Sequence, residues 1–297
     1  MSASPDKTDA PLISVITATY NLLSQGRQDS FREVIDCMAR QGCARAEHII
    51  QDGASTDGTV EFLQELTADA PRTRLISEPD SGLYDAMNKG AQAACGEYLL
   101  FLNSDDSLAS DDILSTVADR LEAAQPDFLY GSTLRRYEDG SETREKRMSL
   151  TAILQRMPFC HNSVLLKRDV FLALGGHDTQ FRVAADYDLM LRLLTEGYQG
   201  ERTDEPISMF WGRGVTSDIV ITAEDYARVW MKYYDGFKAA QDLTQEDFFR
   251  FFRRGHMPVP LILERLSKPG TSDAIKAAAR HSLWKTMRRS VQFWRSF

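Results

Sequence analysis

Several features are missing from this 297-residue sequence, and each absence removes a class of function. Its four cysteines, Cys37, Cys43, Cys95 and Cys160, form no CxxC pair and sit beside no histidine cluster at zinc-ligand spacing, so reduced structural thiols are expected rather than a zinc module. No run of about 18 apolar residues occurs, which argues against a membrane span. The polar start MSASPDKTDA lacks the charged-then-apolar order of a secretory signal, so a cytoplasmic location is expected. No GxGxxG follows the first apolar run, which speaks against a dinucleotide-dependent enzyme. A net charge of -8 argues against broad attraction to nucleic acid. Internal repeats and low-complexity tracts are absent, and 43% hydrophobic with 26% charged residues is ordinary globular usage.

What is present is an alternation of strands and helices. After a polar leader over 1–10, the β-branched run Leu12 to Tyr20, bounded by Pro11 and Asn21, reads as a buried strand. A second apolar run at 48–50 ends in QDGASTDGT, where Gly53 and Gly58 supply turns and Thr56 or Asp57 can cap a helix from Thr59. Residues 74–77 read as a third strand, and GEYLLFLNSDD holds a fourth that ends in a carboxylate pair. Between them, Leu83, Ala86, Met87, Gly90, Ala91 and Ala94 share one helical face, leaving Asp85, Asn88, Lys89 and Gln92 off it. A helix over 110–124 and a strand over 127–132 complete the pattern of a mostly parallel sheet flanked by helices, an α/β fold with its ligand crevice at the carboxyl ends of the strands. Beyond Leu134 come a hairpin turning at Asp139-Gly140 and a mixed region, and beyond Thr222 the chain is mainly helical, broken by Pro258, Pro260, Pro269 and Gly270.

Asp52 follows one strand and Asp105 and Asp106 another, so parallel strands in one sheet bring the three to one edge. Adjacent carboxylates on such a loop can hold a hard divalent cation, which in turn neutralises a diphosphate. The alternative is that Asp105 or Asp106 caps the helix near Ser110. Asp85 and Lys89 likewise have a plain reading, an i, i+4 pair on a solvated face.

The segments PLISVITATYN, QDGASTDGT, EPDSGLYDAMNKGAQAACGEYLLFLNSDD and AADYDLMLRL occur in an order and spacing that resemble the family 2 glycosyltransferases, over roughly residues 11–215. The resemblance implies a GT-A fold, with a catalytic domain over 11–221 divided into a nucleotide-sugar half, 11–132, and an acceptor half, 133–221, followed by a helical extension over 222–297. It also implies an inverting, metal-dependent transfer of a hexosyl group from a nucleotide-diphosphate sugar, a UDP-sugar by expectation, to a hydroxyl of a glycan or lipid-linked acceptor. The setting it points to is bacterial exopolysaccharide, capsule or O-antigen assembly.

By the same resemblance Thr19 and Tyr20 lie along the nucleotide and Asp52 accepts a hydrogen bond from the base. Asp85, Asn88 and Lys89 flank the donor, Asp105 lies at the ribose or metal shell, and Asp106 coordinates Mn²⁺ or Mg²⁺. Ser104 stands where the usual DxD has its first Asp. Asp186 matches the general base of the family's ED motif, with Ala185 in place of Glu. Asp188 is its competitor within the sequence, and Asp186 also has a plain role as a carboxylate in a helix's first turn. His161 and Asn162 approach the acceptor, although the histidine can equally be a core residue. FWGRGVTSD at 210–218 resembles a loop closing over the donor, with Arg213 available to a phosphate. A sugar-nucleotide nucleotidyltransferase and a non-catalytic glycan-binding protein are the alternatives; the first lacks its glycine- and lysine-rich phosphate loop here.

From Lys276 to Phe297 the sequence carries Lys276, Arg280, Lys285, Arg288, Arg289 and Arg295 without an acid, while Leu283, Met287, Val291 and Trp294 mark one stripe. Two readings stand: a cationic amphipathic helix on an anionic membrane, as suits a lipid-linked acceptor, or a helix docked on the protein's own acidic surface or on a second subunit of a homo-oligomer.

Overall fold

The computed structural model describes residues 10–70, 72–137, 139–145, 149–211, 219–255 and 257–295. The chain divides into two compact units, one drawn from Met1–Lys146, Phe159–Thr179 and Gln199–Gly212 and the other from Arg147–Pro158, Gln180–Tyr198 and Arg213–Phe297.

The first unit contains β1 (Ile13–Thr19), α1 (Gln28–Arg40), β2 (Ala46–Asp52), α2 (Thr59–Thr67), β3 (Thr73–Ser77), α3 (Leu83–Ala93), β4 (Tyr98–Phe101) and β5 (Ser107–Leu108). It continues with α4 (Ile113–Ala124), β6 (Phe128–Arg136), β7 (Glu142–Arg144), β8 (Val164–Lys167), α5 (Arg168–Ala173) and β9 (Gly200–Trp211). Among the described residues these strands form one sheet in the order β3-β2-β1-β4-β8-β6-β9-β5, with β7 on β6.

Every residue of β1 is buried, as a β-branched strand covered on both faces requires. It pairs in parallel with β2 on one side and β4 on the other. The chain therefore runs outward from β1 to β3 and returns through α3 to β4, which places a topological switch point between β1 and β4. The ends of the first three strands are flush: Thr19 is opposite Asp52, and Asp52 opposite Ser77. β8 is antiparallel to both of its neighbours, β4 and β6, whereas β9 runs parallel to β6.

On one face of the sheet, Val34 and Cys37 of α1 and Ile113, Leu114 and Val117 of α4 pack with Val15, Leu100 and Leu102. Cys37 and Cys43 are buried, Cys95 is exposed, and none of the four cysteines is in a disulfide. On the other face α3 buries Ala86, Met87, Gly90 and Ala91 as its periodicity requires. Leu83, the first residue of the expected stripe, is instead 49% exposed in the opening turn. Gly90 is demanded by proximity, since a Cβ there would lie 2.6 Å from Cγ2 of Ile16 on β1.

The second unit holds α6 (Ala185–Glu196), α7 (Ile219–Tyr233), α8 (Gln245–Arg254), α9 (Val259–Ser267) and α10 (Asp273–Arg295). Its centre is aromatic. Tyr187 stacks on Tyr226 at 4.4 Å between centroids, donates from its hydroxyl to the Ile153 carbonyl at 2.6 Å, and accepts from Trp230 Nε1 at 2.8 Å. Helix α10 docks on this unit through Ile275 and through Ala278, Ala279 and Ser282, whose small side chains admit close approach. This differs from the expected stripe, because Leu283 is half-buried while Met287 is exposed; the side chains of Val291 and Trp294 lie outside the described ones. Among the described residues no helix is long and apolar enough to cross a membrane.

Candidate active site

Asp52 ends β2 fully buried, and its carboxylate is saturated by hydroxyl and backbone donors. Oδ1 accepts from Thr19 Oγ1 at 3.3 Å and Ser55 Oγ at 2.5 Å; Oδ2 accepts from the Ser55 amide at 2.9 Å and Ser77 Oγ at 2.7 Å. Thr19 is thus a buried partner of Asp52, whereas Tyr20, the next residue, is 54% exposed at the strand mouth. The loop after β1 is tied to the loop after β2, with the Asn21 amide donating to Ser55 Oγ at 2.7 Å and the Ser24 amide to Asp57 Oδ2 at 2.8 Å. Asp57 also accepts from the Thr59 amide at 3.1 Å, one residue ahead of Gly58, which is the N-cap of α2 in place of the expected Thr56 or Asp57.

Helix α3 grips two loops at once. Asp85 Oδ2 accepts from the Ser81 amide at 2.8 Å, and Lys89 Nζ donates to the Pro79 carbonyl at 2.5 Å while lying 3.6 Å from Asp85. The Ser81 amide bond foremost holds the Asp85 pKa below the ordinary carboxylate range. Asn88 faces elsewhere: its Nδ2 donates to the His177 carbonyl and its Oδ1 accepts from the His177 amide, both at 2.8 Å. Asp80, which sequence reasoning passed over, bonds the Gly82 amide at 2.8 Å and lies against the Gly53 position, where a Cβ would collide with its carboxylate. Burial foremost raises its pKa, opposed by the Gly82 bond and reinforced by the charges of Asp85 and Asp52.

Asp105 and Asp106 follow β4 and differ in environment. Asp105 is about one-third exposed and has Arg27 Nη1 at 3.8 Å; the same nitrogen donates to Ser104 Oγ at 3.4 Å. Asp106 is only 8% exposed. Its Oδ2 accepts from Asn103 Nδ2 at 2.8 Å and from Asn162 Nδ2. Burial first, and the Asp105 charge second, push its pKa up to about 6 against the pull of Asn103, His161 and Asn162. His161 and Asn162, expected on the acceptor side, are therefore brought beside Asp106; Asn162 is 1% exposed and its Oδ1 has no hydrogen-bond partner. Arg27 and Asn103 were missed from the sequence. The available signals were modest: Arg27 is the only basic residue between the first strand and α1, and Asn103 belongs to the same NSDD loop.

The donor set suits a divalent cation as far as one residue goes. Asp106 has both side-chain amides on one oxygen, so its Oδ1 is the atom that would meet a hard cation. Among the described residues no group of three or more His, Cys, Asp or Glu side chains could hold a metal unaided.

In the second unit the structure separates the two aspartates at the start of α6. Asp188 is 3% exposed and bridges Arg192 at 2.7 Å and Lys232 at 2.9 Å, which makes it an internal counter-ion. Asp186 is half-buried in the first turn, with Oδ1 accepting from the Tyr187 amide at 2.8 Å. The segment leading into that turn is held by Asp225, whose Oδ2 accepts from the Arg182 and Val183 amides at 2.6 and 2.7 Å. Arg213 lies outside the described residues.

Known proteins share both the sequence pattern and the fold. Residues 14–186 match the family described as Glycosyl transferase family 2. A PGL/p-HBAD biosynthesis glycosyltransferase of Mycobacterium bovis is 32% identical over 188 residues, 62% of this chain and 70% of the relative. Staphylococcus aureus TarS 1-349 in complex with UDP-GlcNAc superposes with a TM-score of 0.60 at 15% identity, covering 86% of this chain and 72% of that one. Against the longer TarS structure the chain spans 43% of the neighbour's length. The mannosyltransferase PcManGT of Pyrobaculum calidifontis, in complex with GDP-Man and Mn²⁺, gives a TM-score of 0.58 at 20% identity, covering 93% and 75%. With more than half of its length matched in sequence and the sheet of these neighbours around its strand-end carboxylates, the chain belongs to glycosyl transferase family 2 and has the GT-A fold.

Proposed function

We propose that this glycosyltransferase moves a hexosyl group, with inversion, from a UDP-sugar to a hydroxyl of a glycan or lipid-linked acceptor, in bacterial surface-polysaccharide assembly on the cytoplasmic side. The donor class is supported by the fold neighbours solved with UDP and UDP-GlcNAc, and the use of Mn²⁺ or Mg²⁺ by the neighbour solved with GDP-Man and Mn²⁺.

The observation that carries the reading is Asp106, a buried carboxylate raised to about 6 with one oxygen held by two amides and the other left for a ligand. Asp106 would hold a divalent cation, which would supply neutralisation of the departing diphosphate. Tyr20 offers a ring at the mouth of β1, and Asp52 offers an acceptor to a base N–H in exchange for one of its hydroxyl partners. Arg27, 3.8 Å from Asp105, is placed to trade that ion pair for a donor phosphate. Asp85 and Lys89 act by holding the 79–82 loop, and Asn88 by holding His177. In the transfer the acceptor oxygen bonds to the anomeric carbon as the bond to the diphosphate oxygen breaks, and the acceptor proton passes to Asp186. Asp188, neutralised by two cations, is the poorer base.

Calorimetry with a panel of nucleotide sugars, with and without Mn²⁺, tests the reading. Asp106→Ala is expected to lose metal-assisted donor binding, and Asp186→Asn to keep donor binding while losing transfer. Wild-type behaviour from both variants would sink the mechanism.

A further inference from the structure

The outward crest of α10 takes no part in the chemistry above. Opposite the buried Ile275, Ala278, Ala279 and Ser282 lie Arg280, Trp284, Met287 and Arg288, with Trp284 51% and Met287 67% exposed. The Arg288 guanidinium stands 4.7 Å from the centroid of the Trp284 ring, and His281 lies 6.1 Å from it on the same side of the helix. An indole and a thioether are thus presented together with a cationic border. The sequence extends that charge, because no Asp or Glu occurs after Asp273 in a chain whose net charge is -8.

We infer that this crest docks the protein on an anionic lipid bilayer. Trp284 and Met287 enter the headgroup boundary while Arg280 and Arg288 meet lipid phosphates, an arrangement suited to a helix lying in the interface plane. The face differs from the stripe read from the sequence, since half-buried Leu283 is turned partly toward the protein. Charge complementarity selects the occupant: the same crest on a second copy would set arginine against arginine, whereas an anionic surface matches both arginines at once. Two apolar side chains bury little area, so attachment depends on charge and is reversed by salt. The inference is independent of the donor and acceptor assigned above.

Cosedimentation of the full chain with vesicles tests it, using phosphatidylcholine with and without phosphatidylglycerol, at low and high salt and without any nucleotide sugar. The expected result is binding to the phosphatidylglycerol vesicles only, lost at high salt and accompanied by a blue shift of tryptophan emission. Trp284→Ala should remove most of that shift. Arg280→Glu with Arg288→Glu should weaken binding by at least about tenfold, with far-UV circular dichroism and UDP binding retained as controls of folding. Equal binding to both vesicle types, or wild-type binding by the doubly reversed variant, would overturn the proposal. So would self-association in light scattering that Trp284→Ala abolishes, because it would assign the crest to a second copy.

Discussion

Asp106 is a residue whose ionised form the fold disfavours. Its pKa rises from 3.8 to about 6, so between those values the folded protein holds a proton that the unfolded chain has released. Stability therefore falls as pH rises through that window, and the ionised carboxylate is a cost at pH 7, on the order of 1–3 kcal/mol. Asp106→Asn is expected to raise the urea midpoint at neutral pH, to lose that advantage near pH 4, and to bind no UDP–Mn²⁺; a variant less stable than wild type at neutral pH would contradict this account. A cation competes with the same proton, so the pH at which wild-type UDP binding is half lost should fall as Mn²⁺ is raised, readable by calorimetry. Asp188 predicts the opposite separation. Asp188→Asn removes the negative charge buried beside Arg192 and Lys232 and should cost about 2–4 kcal/mol, whereas Asp186→Asn should leave the urea midpoint close to wild type.

At the scale of elements, α3 is a strut between two loops. Asp85 and Lys89 hold the turn that precedes the helix, and Asn88 takes both backbone groups of His177, which is remote in sequence and packed among Tyr84, Phe101 and Phe171. Gly176 makes the clamp possible, with φ at +70° and no room for a Cβ, which would lie 2.6 Å from Asn88 Oδ1. Gly176→Ala and Asn88→Ala should each destabilise by about 2–3 kcal/mol in urea. Their double variant should cost less than the sum, because both changes remove one clamp. Strict additivity would show that Asn88 and Gly176 act separately. Asn88→Asp, which keeps the acceptor for the His177 amide and loses the donor, should fall between wild type and Asn88→Ala.

For the whole molecule, the sheet order places the ends of β1, β2 and β4 around one switch point, and this decides which of many acidic residues share a site. Ligand linkage tests that arrangement: UDP with Mn²⁺ should raise the thermal midpoint of wild type and leave that of Asp106→Ala unmoved. A rise in both would place the metal-assisted site elsewhere.

The amino-acid order by itself determined the alternation of strands and helices, the buried character of β1, the apolar face of α3 from Ala86 to Ala91 and the presence of carboxylates at strand ends. These follow from local periodicity and turn chemistry, which act over a few residues. The motif order named the family for the same reason, since it is a property of the chain read in line. Tertiary structure decided the rest. Arg27 meets Ser104 across 77 positions, Asn162 meets Asp106 across 56 and Asn88 meets His177 across 89, and no local pattern encodes such pairings. The antiparallel β8 between β4 and β6 is likewise a product of long-range pairing. Asp186 and Asp188 look alike two residues apart in sequence; only the packing of α6, which buries one between Arg192 and Lys232, gives the two carboxylates different work.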